Sequence, residues 1–245
     1  KTTSRILNMV QFQLGTINVE VIQKDIKNIH LSVYPPNGRV KIAAPLRMSL
    51  ETIKIYAISK LSWIKQQQKK LTSQQRESPR EFITQESHYY LGKRYLLKII
   101  EEDAKPKVIL KHSKIVLYVR PNTDTQKRKE ILDTWYRDKL KEQVAILVQK
   151  WQPIMQVYVN EFAIKKMKTK WGTCNIEAKR IWLNLELIKK PITCLEYIVV
   201  HEMTHLLERH HNQRFIAYMN NFLPFWKELK KELNSLPVSH INWEY

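Results

Sequence analysis

The sequence predicts an α+β fold, because patterns typical of strands and patterns typical of helices come in runs along the chain rather than in strict alternation. Alternating apolar and polar residues near the N-terminus predict β-hairpins, and Asn37-Gly38 accepts the positive φ angles that a tight turn needs. Long stretches with apolar residues at helical spacing follow these strands. We therefore expect a β-hairpin-rich N-terminal region with long helices, followed by a compact C-terminal region.

Apolar periodicity and turn residues together predict the order of the elements. They predict strands at 10–14, 16–23, 29–34 and 40–43, a helix over 49–75, strands at 88–100, 108–110 and 115–119, a helix over 125–150, strands at 157–159, 163–173 and 180–184, and helices to the end. Pro121 and the polar residues after it interrupt the pattern. We expect a domain boundary there, between a β-rich region with one long helix at 1–120 and a second region at 121–245.

The chain is strongly basic. It has 42 Lys and Arg residues against 23 Asp and Glu residues among 245, which gives a formal net charge of +19. Such a charge attracts polyanions, so nucleic acid is a candidate partner through a basic surface. The basic residues are scattered in pairs and short runs such as Lys127-Arg128-Lys129, however, which is also typical of solvated surfaces. Charge alone therefore does not select a function.

The cysteine content argues against a secreted disulfide scaffold. Cys174 and Cys194 are the only two cysteines and form no CxxC pair, so both are expected as free thiols in a reducing compartment. The sequence shows no secretory signal and no apolar run long enough to cross a bilayer. We therefore expect a cytoplasmic protein with no membrane partner. The sequence does not indicate its oligomeric state.

The strongest chemical pattern is His201-Glu202-Met203-Thr204-His205, which matches HExxH. On an α-helix, residues four apart lie about 40° apart around the axis, so two imidazoles can reach one metal ion. The carboxylate of Glu202 lies close enough to act as general base toward a water whose pKa zinc lowers to about 7. The pattern predicts a zinc-dependent hydrolase with one Zn²⁺ per chain.

The residues around this pattern predict that it lies on a helix. Thr193 and Glu196 have the spacing of a capping box just after Pro191. Apolar residues then recur at helical spacing and would anchor the helix in a core, at Leu195, Ile198, Val199, Met203 and Leu206.

A catalytic zinc usually takes three protein ligands and keeps one position open. His211 lies ten residues beyond His201, the interval of the extended HExxHxxGxxH pattern, although Glu208 takes the place of its glycine. His210 is the neighbouring alternative for the third ligand. Glu208 is a weaker candidate, more typical of a solvated residue near a helix end.

The segment before the helix is a candidate substrate-binding wall. Gly172 would let a substrate or backbone approach closely, and an edge strand there could bind an extended peptide. Lys168 and Lys170 alternate along this segment and could instead bind phosphate. Trp171 is either a substrate contact or a core aromatic residue, and the second is commoner. Tyr218 and Tyr245 are candidates for stabilising an oxyanion.

These residues resemble the YgjP-like metallopeptidase domain family, which is related to SprT-like proteins and other compact zincins. The resemblance covers nearly the whole chain and rests on Trp171-Gly172-Thr173-Cys174, His201-Glu202-Met203-Thr204-His205-Leu206 and His210-His211-Asn212-Gln213-Arg214-Phe215. In this alignment the family's histidine after the helix falls on His211, which favours it over His210. Lys170 stands where many relatives have Arg, and Thr173 replaces Ser. The resemblance implies a zincin-like catalytic region at 121–245.

Three functions are compatible with these patterns. The leading hypothesis is a zinc metallopeptidase that cleaves a peptide or protein with Glu202 as general base. The alternative, which some relatives imply, is a metal-dependent nucleoside triphosphate (UTP) pyrophosphatase with Mg²⁺ as an added cofactor, although the four glycines form no phosphate-binding loop. The third hypothesis is a DNA-associated protease or nucleic-acid-binding module, which SprT-like relatives and the positive charge suggest.

Overall fold

The structure is a computed structural model that describes residues 8–34, 37–73, 80–167 and 170–237. These residues form three small sheets and six α-helices, so the α+β prediction is confirmed. Contacts divide them into two units, the first ending at residue 73 and the second running from 80 to 237. Each unit has its own buried apolar core.

The first unit is a four-stranded sheet followed by two helices. Its elements are β1 (Asn8–Leu14), β2 (Ile17–Lys24), β3 (His30–Tyr34), β4 (Arg39–Pro45), α1 (Leu50–Ser59) and α2 (Leu61–Ser73). The strand order is β1-β2-β4-β3, in which β2 and β4 are parallel and the two outer pairs are antiparallel. Gly15 turns the chain between β1 and β2 with a φ of 64°.

Alternate residues of the central strands and one face of the helices build the core of the first unit. Its buried residues include Val19, Val21, Val40, Ile42, Ala44, Ile53, Ala57 and Ile64. The single helix predicted over 49–75 is in fact α1 and α2. The chain leaves α-helical geometry at Lys60, where ψ is 6° and the backbone N–H donates to the carbonyl oxygens of both Tyr56 and Ala57.

The second unit begins with a sheet of the same strand order and directions as the first. Its elements are β5 (Ser87–Tyr90), β6 (Lys93–Glu101), β7 (Lys107–Lys111), β8 (Lys114–Val119) and α3 (Thr125–Met155). The strand order is β5-β6-β8-β7, again with a parallel central pair and antiparallel outer pairs. Asp124 caps α3 by accepting a hydrogen bond from the backbone N–H of Lys127.

A three-stranded sheet and the remaining helices complete the second unit. They are β9 (Glu161–Lys165), β10 (Gly172–Asn175), β11 (Arg180–Asn184), a short 3₁₀ helix (Leu185–Lys189), α4 (Ile192–Thr204), α5 (Gln213–Phe222) and α6 (Trp226–Ser235). The sheet order is β10-β11-β9, with β10 antiparallel and β9 parallel to β11. Within the described chain β10 therefore pairs on one side alone, and its other edge is open.

Three local predictions about this unit are wrong. The single strand predicted at 163–173 is two strands, because β9 ends at Lys165 and β10 begins at Gly172. Residues 157–159 are not a strand, because the backbone N–H of Val159 donates to the side-chain oxygen of Gln152 instead of to a neighbouring strand. Thr193 and Glu196 form no capping box, since α4 begins after Pro191 without a side-chain cap. The carboxylate of Glu196 instead accepts hydrogen bonds from Trp151 and Lys150 of α3.

The core of the second unit spans the position where a domain boundary was predicted. Buried residues of β6 and β8 pack in one cluster with buried residues of α3 and α4, including Leu97, Ile115, Leu117, Leu132, Tyr136, Leu140, Leu195 and Val199. The predicted division between residues 120 and 121 therefore falls inside this unit, between β8 and α3. In the part of the chain that the structure describes, no helix is both long and apolar enough to span a bilayer.

Candidate metal centre

Helix α4 carries the first two histidines of the site. Most of its residues are buried, which fixes the helix against the core. His201 and His205 lie one turn apart, where both side chains are only partly buried and their ring centroids are 5.1 Å apart. His205 ends the helix, so the chain can turn directly after it.

The turn after α4 brings His211 next to His201 and His205. The carbonyl oxygen of Thr204 accepts hydrogen bonds from the backbone N–H groups of Leu207 and Glu208, at 2.9 and 3.0 Å. The Nε2 atoms of His211 and His201 are 3.0 Å apart, and the rings of His211 and His205 are 4.8 Å apart. The histidine cluster, defined as His201, His205 and His211, has one ligand atom of each residue within 4.8 Å of the others.

Phe215 supports all three rings from one side. It is 2% exposed, and its ring centroid lies 5.0, 4.9 and 4.7 Å from those of His201, His205 and His211. Asn212 begins α5 and fixes Phe215, because its side-chain oxygen accepts a hydrogen bond from the Phe215 N–H at 3.0 Å. Sequence reasoning assigned Phe215 no role, although a phenylalanine at this interval from the histidines was visible as a pattern.

The donor set of the histidine cluster fits a divalent metal ion. Burial is the main cause that lowers the pKa of each of the three imidazoles, that of His201 to about 3. The rings are therefore neutral at neutral pH and offer a lone pair to a cation. Two nitrogens bound tetrahedrally to zinc would be about 3.3 Å apart, close to the 3.0 Å between the Nε2 atoms of His201 and His211.

The second ring nitrogens differ in their partners. His205 Nδ1 lies 3.2 Å from the carbonyl oxygen of Glu208, which would hold the ring with Nε2 free for a metal. His201 Nδ1 is buried and has no hydrogen-bond partner among the described residues. The side chain of Glu208 accepts a hydrogen bond from the His210 N–H, so Glu208 organises the turn.

Glu202 lies beside the histidine cluster and is 5% exposed. Burial raises the pKa of its carboxyl group to about 8, and the positive charge of Lys170 opposes this shift. A Cβ atom at Gly172 would lie 2.6 Å from Oε1 of Glu202, so the carboxylate lies directly against the β10 backbone. This close approach requires glycine at position 172.

The histidine cluster and Glu202 line a cleft of about 890 Å³. One wall is β10 with the turn that follows it, and the other is the end of α4 with the turn that leads to His211. Lys170 and Gly172 both line this cleft. A strand with one open edge thus lines a cleft that holds three neutral imidazoles and the buried carboxyl group of Glu202.

Other predicted residues lie elsewhere. Trp171 is not among the residues that line the cleft and packs against the core of the second unit. His210 is exposed and does not belong to the histidine cluster. The hydroxyl of Tyr218 accepts a hydrogen bond from Arg214. Lys168 and Tyr245 lie outside the described residues.

Asn184 is a further residue that sequence reasoning did not assign to the site. It is buried at the end of β11, and its side-chain amide donates to the carbonyl oxygens of Met167 and Lys170, each at 2.9 Å. Its own backbone N–H donates to the carbonyl oxygen of Trp171 at 2.8 Å. Asn184 therefore fixes the segment that leads into β10.

Comparison with known families assigns the chain to one of them. The model of the YgjP-like metallopeptidase domain matches residues 27–236. The chain belongs to the YgjP-like metallopeptidase domain family. The resemblance drawn from the sequence is therefore confirmed, and membership in this family supports a divalent metal and a hydrolase that acts on peptides or proteins.

Solved structures offer more distant matches. The metallopeptidase zymogen of Pyrococcus abyssi abylysin is 18% identical with a TM-score of 0.36, over 40% of this YgjP-like chain and 99% of the other. The metallopeptidase zymogen of Methanocaldococcus jannaschii jannalysin is 21% identical with a TM-score of 0.32, over 38% of this chain and 92% of the other. A search of curated proteins found no match.

Proposed function

We propose that the chain is a zinc-dependent metallopeptidase in which His201, His205 and His211 hold the ion and Glu202 is the general base. The observation that carries the proposal is the convergence of three neutral imidazoles and one buried carboxyl group in a cleft lined by β10, a strand with one open edge. A metal site of three ligands with an open position is typical of catalytic rather than structural zinc.

The donor set favours zinc among the common divalent ions. Imidazole nitrogens suit zinc, whereas magnesium and calcium prefer oxygen ligands. Zinc bound there would supply Lewis-acid chemistry, which polarises a carbonyl group and lowers the pKa of a water molecule.

Glu202 would move the proton during peptide hydrolysis. The positive charge of a bound ion would lower the pKa of Glu202 below the value of about 8 that burial gives it. Its carboxylate would then accept a proton from the attacking water and donate it to the amine of the leaving peptide. The contact with the backbone at Gly172 restricts where the carboxylate can lie, so proton acceptance would occur beside the β10 edge. This restriction is useful because general-base catalysis depends on hydrogen-bond distance to the water.

The open edge of β10 would bind the substrate. An extended peptide can add to it as another strand through backbone hydrogen bonds, which would hold the scissile carbonyl against the cleft. Asn184 would act as a positioning residue, because it fixes the segment from which β10 begins. Lys170 would lie at the rim, where its charge attracts an electron-rich carbonyl or carboxylate.

Neither the cleft nor the comparisons specifically support the nucleotide-hydrolysis and nucleic-acid hypotheses. Nucleoside triphosphate hydrolysis would need phosphate-binding groups in the cleft, where Lys170 and Arg209 are the lysine and arginine among the described lining residues, and the family match does not support this activity. A nucleic-acid partner and an added Mg²⁺ stay predictions.

The direct test is cleavage of a diverse peptide library by the zinc-loaded protein, with products identified by mass spectrometry. The Glu202→Gln variant should lose more than about a hundredfold of the activity and keep one zinc per chain, measured by elemental analysis. Glu177→Gln is the matched control, because Glu177 is an exposed carboxylate that lines the same cleft. It should cleave at the wild-type rate.

Full activity in Glu202→Gln would contradict the proposed proton transfer. Release of pyrophosphate from UTP by the same zinc-loaded preparation, without cleavage of any peptide, would replace the peptidase proposal with the nucleotide hypothesis.

A further inference from the structure

A second cavity adjoins the cleft of the metal centre. Its volume is about 710 Å³, and it is lined by the end of α3 and the residues after it, including Pro153, Val157 and Tyr158. Ile176, Leu206 and Leu207 line both this cavity and the cleft. The two spaces therefore share an apolar wall, and a chain that leaves the cleft along β10 would enter the second cavity.

We propose that this second cavity, hereafter the side pocket, is a substrate subsite for an apolar side chain about four residues before the bond that is cleaved. The inference rests on the proposed function and adds a preference that the histidine cluster and Glu202 do not determine.

The position follows from the length and direction of β10. Glu202 lies against Gly172 at the start of the strand, and Ile176 follows its end at Asn175. Four residues of extended chain span about 13 Å. A peptide paired antiparallel to β10 runs from the Ile176 end toward Gly172, so residues at the side pocket precede the scissile bond. Antiparallel pairing is the more stable arrangement of two strands.

The preference follows from the chemistry of the lining. Tyr158 is 61% exposed, and Val157, Leu206 and Leu207 are partly exposed, so the side pocket presents apolar surface to solvent. An apolar side chain that covers this surface is stabilised by the hydrophobic effect. Lys179 is the charged residue among the described residues that line the side pocket. It would repel a lysine or arginine side chain at the same substrate position.

The test uses peptides that differ only at the position four residues before the cleaved bond. We expect kcat/KM to be at least about tenfold higher for Leu than for Lys at this position, the usual size of such discrimination. The Glu202→Gln variant allows binding to be measured without turnover. Fluorescence anisotropy of labelled peptides should show that it binds the Leu peptide more tightly than the Lys peptide.

The variant Tyr158→Glu puts a negative charge on an exposed wall of the side pocket and should not disturb folding. It should reduce the Leu-to-Lys ratio to about one or invert it, while kcat/KM for peptides too short to reach the side pocket stays at the wild-type value. Ile154→Glu is the matched control, because Ile154 is 53% exposed near the same end of α3 but does not line the side pocket.

Equal kcat/KM for Leu and Lys in the wild-type protein would overturn the subsite while leaving the peptidase proposal intact. A preference for Leu at a position after the cleaved bond would also overturn the subsite. So would a preference for Leu that Tyr158→Glu leaves unchanged. The absence of any peptide cleavage by the zinc-loaded protein would overturn the peptidase proposal, and the subsite with it.

Discussion

Gly172→Ala isolates the contact between β10 and Glu202. The added methyl carbon would lie 2.6 Å from Oε1, 2.7 Å from Cγ and 2.8 Å from Cδ of Glu202. Unstrained contacts between carbon atoms lie at about 3.5 Å or more, so the carboxylate would have to move by about 0.8 Å. Glu202 is buried, so little space is available for a movement that keeps its carboxylate beside the histidine cluster.

We expect this displacement to lower kcat by about a hundredfold, because a misplacement of about 1 Å is enough to cost that much. Overpacking should also lower the free energy of unfolding by about 1–3 kcal/mol. The measurements are kcat on a peptide cleaved by the wild-type protein, zinc content, and urea denaturation to verify that the variant is folded.

Lys111→Ala is the control, because Lys111 is exposed on β7 and does not line the cleft. It should change kcat less than twofold. A folded, zinc-loaded Gly172→Ala protein with wild-type kcat would refute the reasoning, since it would mean that the position of the Glu202 carboxylate against β10 does not matter for the reaction.

Two further predictions concern the metal and pH. Removal of zinc by a chelator should abolish peptide cleavage. In a competition with a chelating dye, His211→Ala should bind zinc more than about a hundredfold more weakly than the wild-type protein, whereas His210→Ala should bind it as tightly. Equal zinc affinities in the two variants would exclude His211 as a ligand. Burial, with the charge of Arg80, lowers the pKa of His88 to about 4 from 6.5, so its neutral form stabilises the folded state above pH 6.5. Glu86, 2.7 Å from His88 Nε2, opposes the shift without cancelling it. The free energy of unfolding should therefore fall as the pH falls from 6.5 to 4, and urea denaturation of His88→Phe should show a smaller fall; an identical pH dependence in both proteins would contradict this.

Local patterns predicted most of the elements because each depends on a few neighbouring residues. The β1–β2 hairpin at Gly15 and the paired strands after it follow from alternation and turn chemistry. The helical position of His201 and His205 follows from apolar spacing alone. The choice of His211 over His210 rested on the family alignment, because the turn after α4 has no regular period.

Features that depend on distant contacts could not be predicted in this way. Glu196 has the spacing of a capping residue, but Trp151 and Lys150 compete for its carboxylate across the unit. The boundary expected near Pro121 marks a turn, and the apolar residues on both sides of it share one core. The side pocket is formed by segments far apart in the sequence, so no local pattern indicates it.

The two units have separate apolar cores, and this determines which unfolding free energy a bound metal ion would raise. A ligand that binds only the folded form raises the unfolding free energy of the structure that forms its site. All three residues of the histidine cluster belong to the second unit, and the buried residues of the first unit form their own cluster. Zinc bound there would therefore raise the free energy of unfolding of the second unit, whose folded structure forms its site.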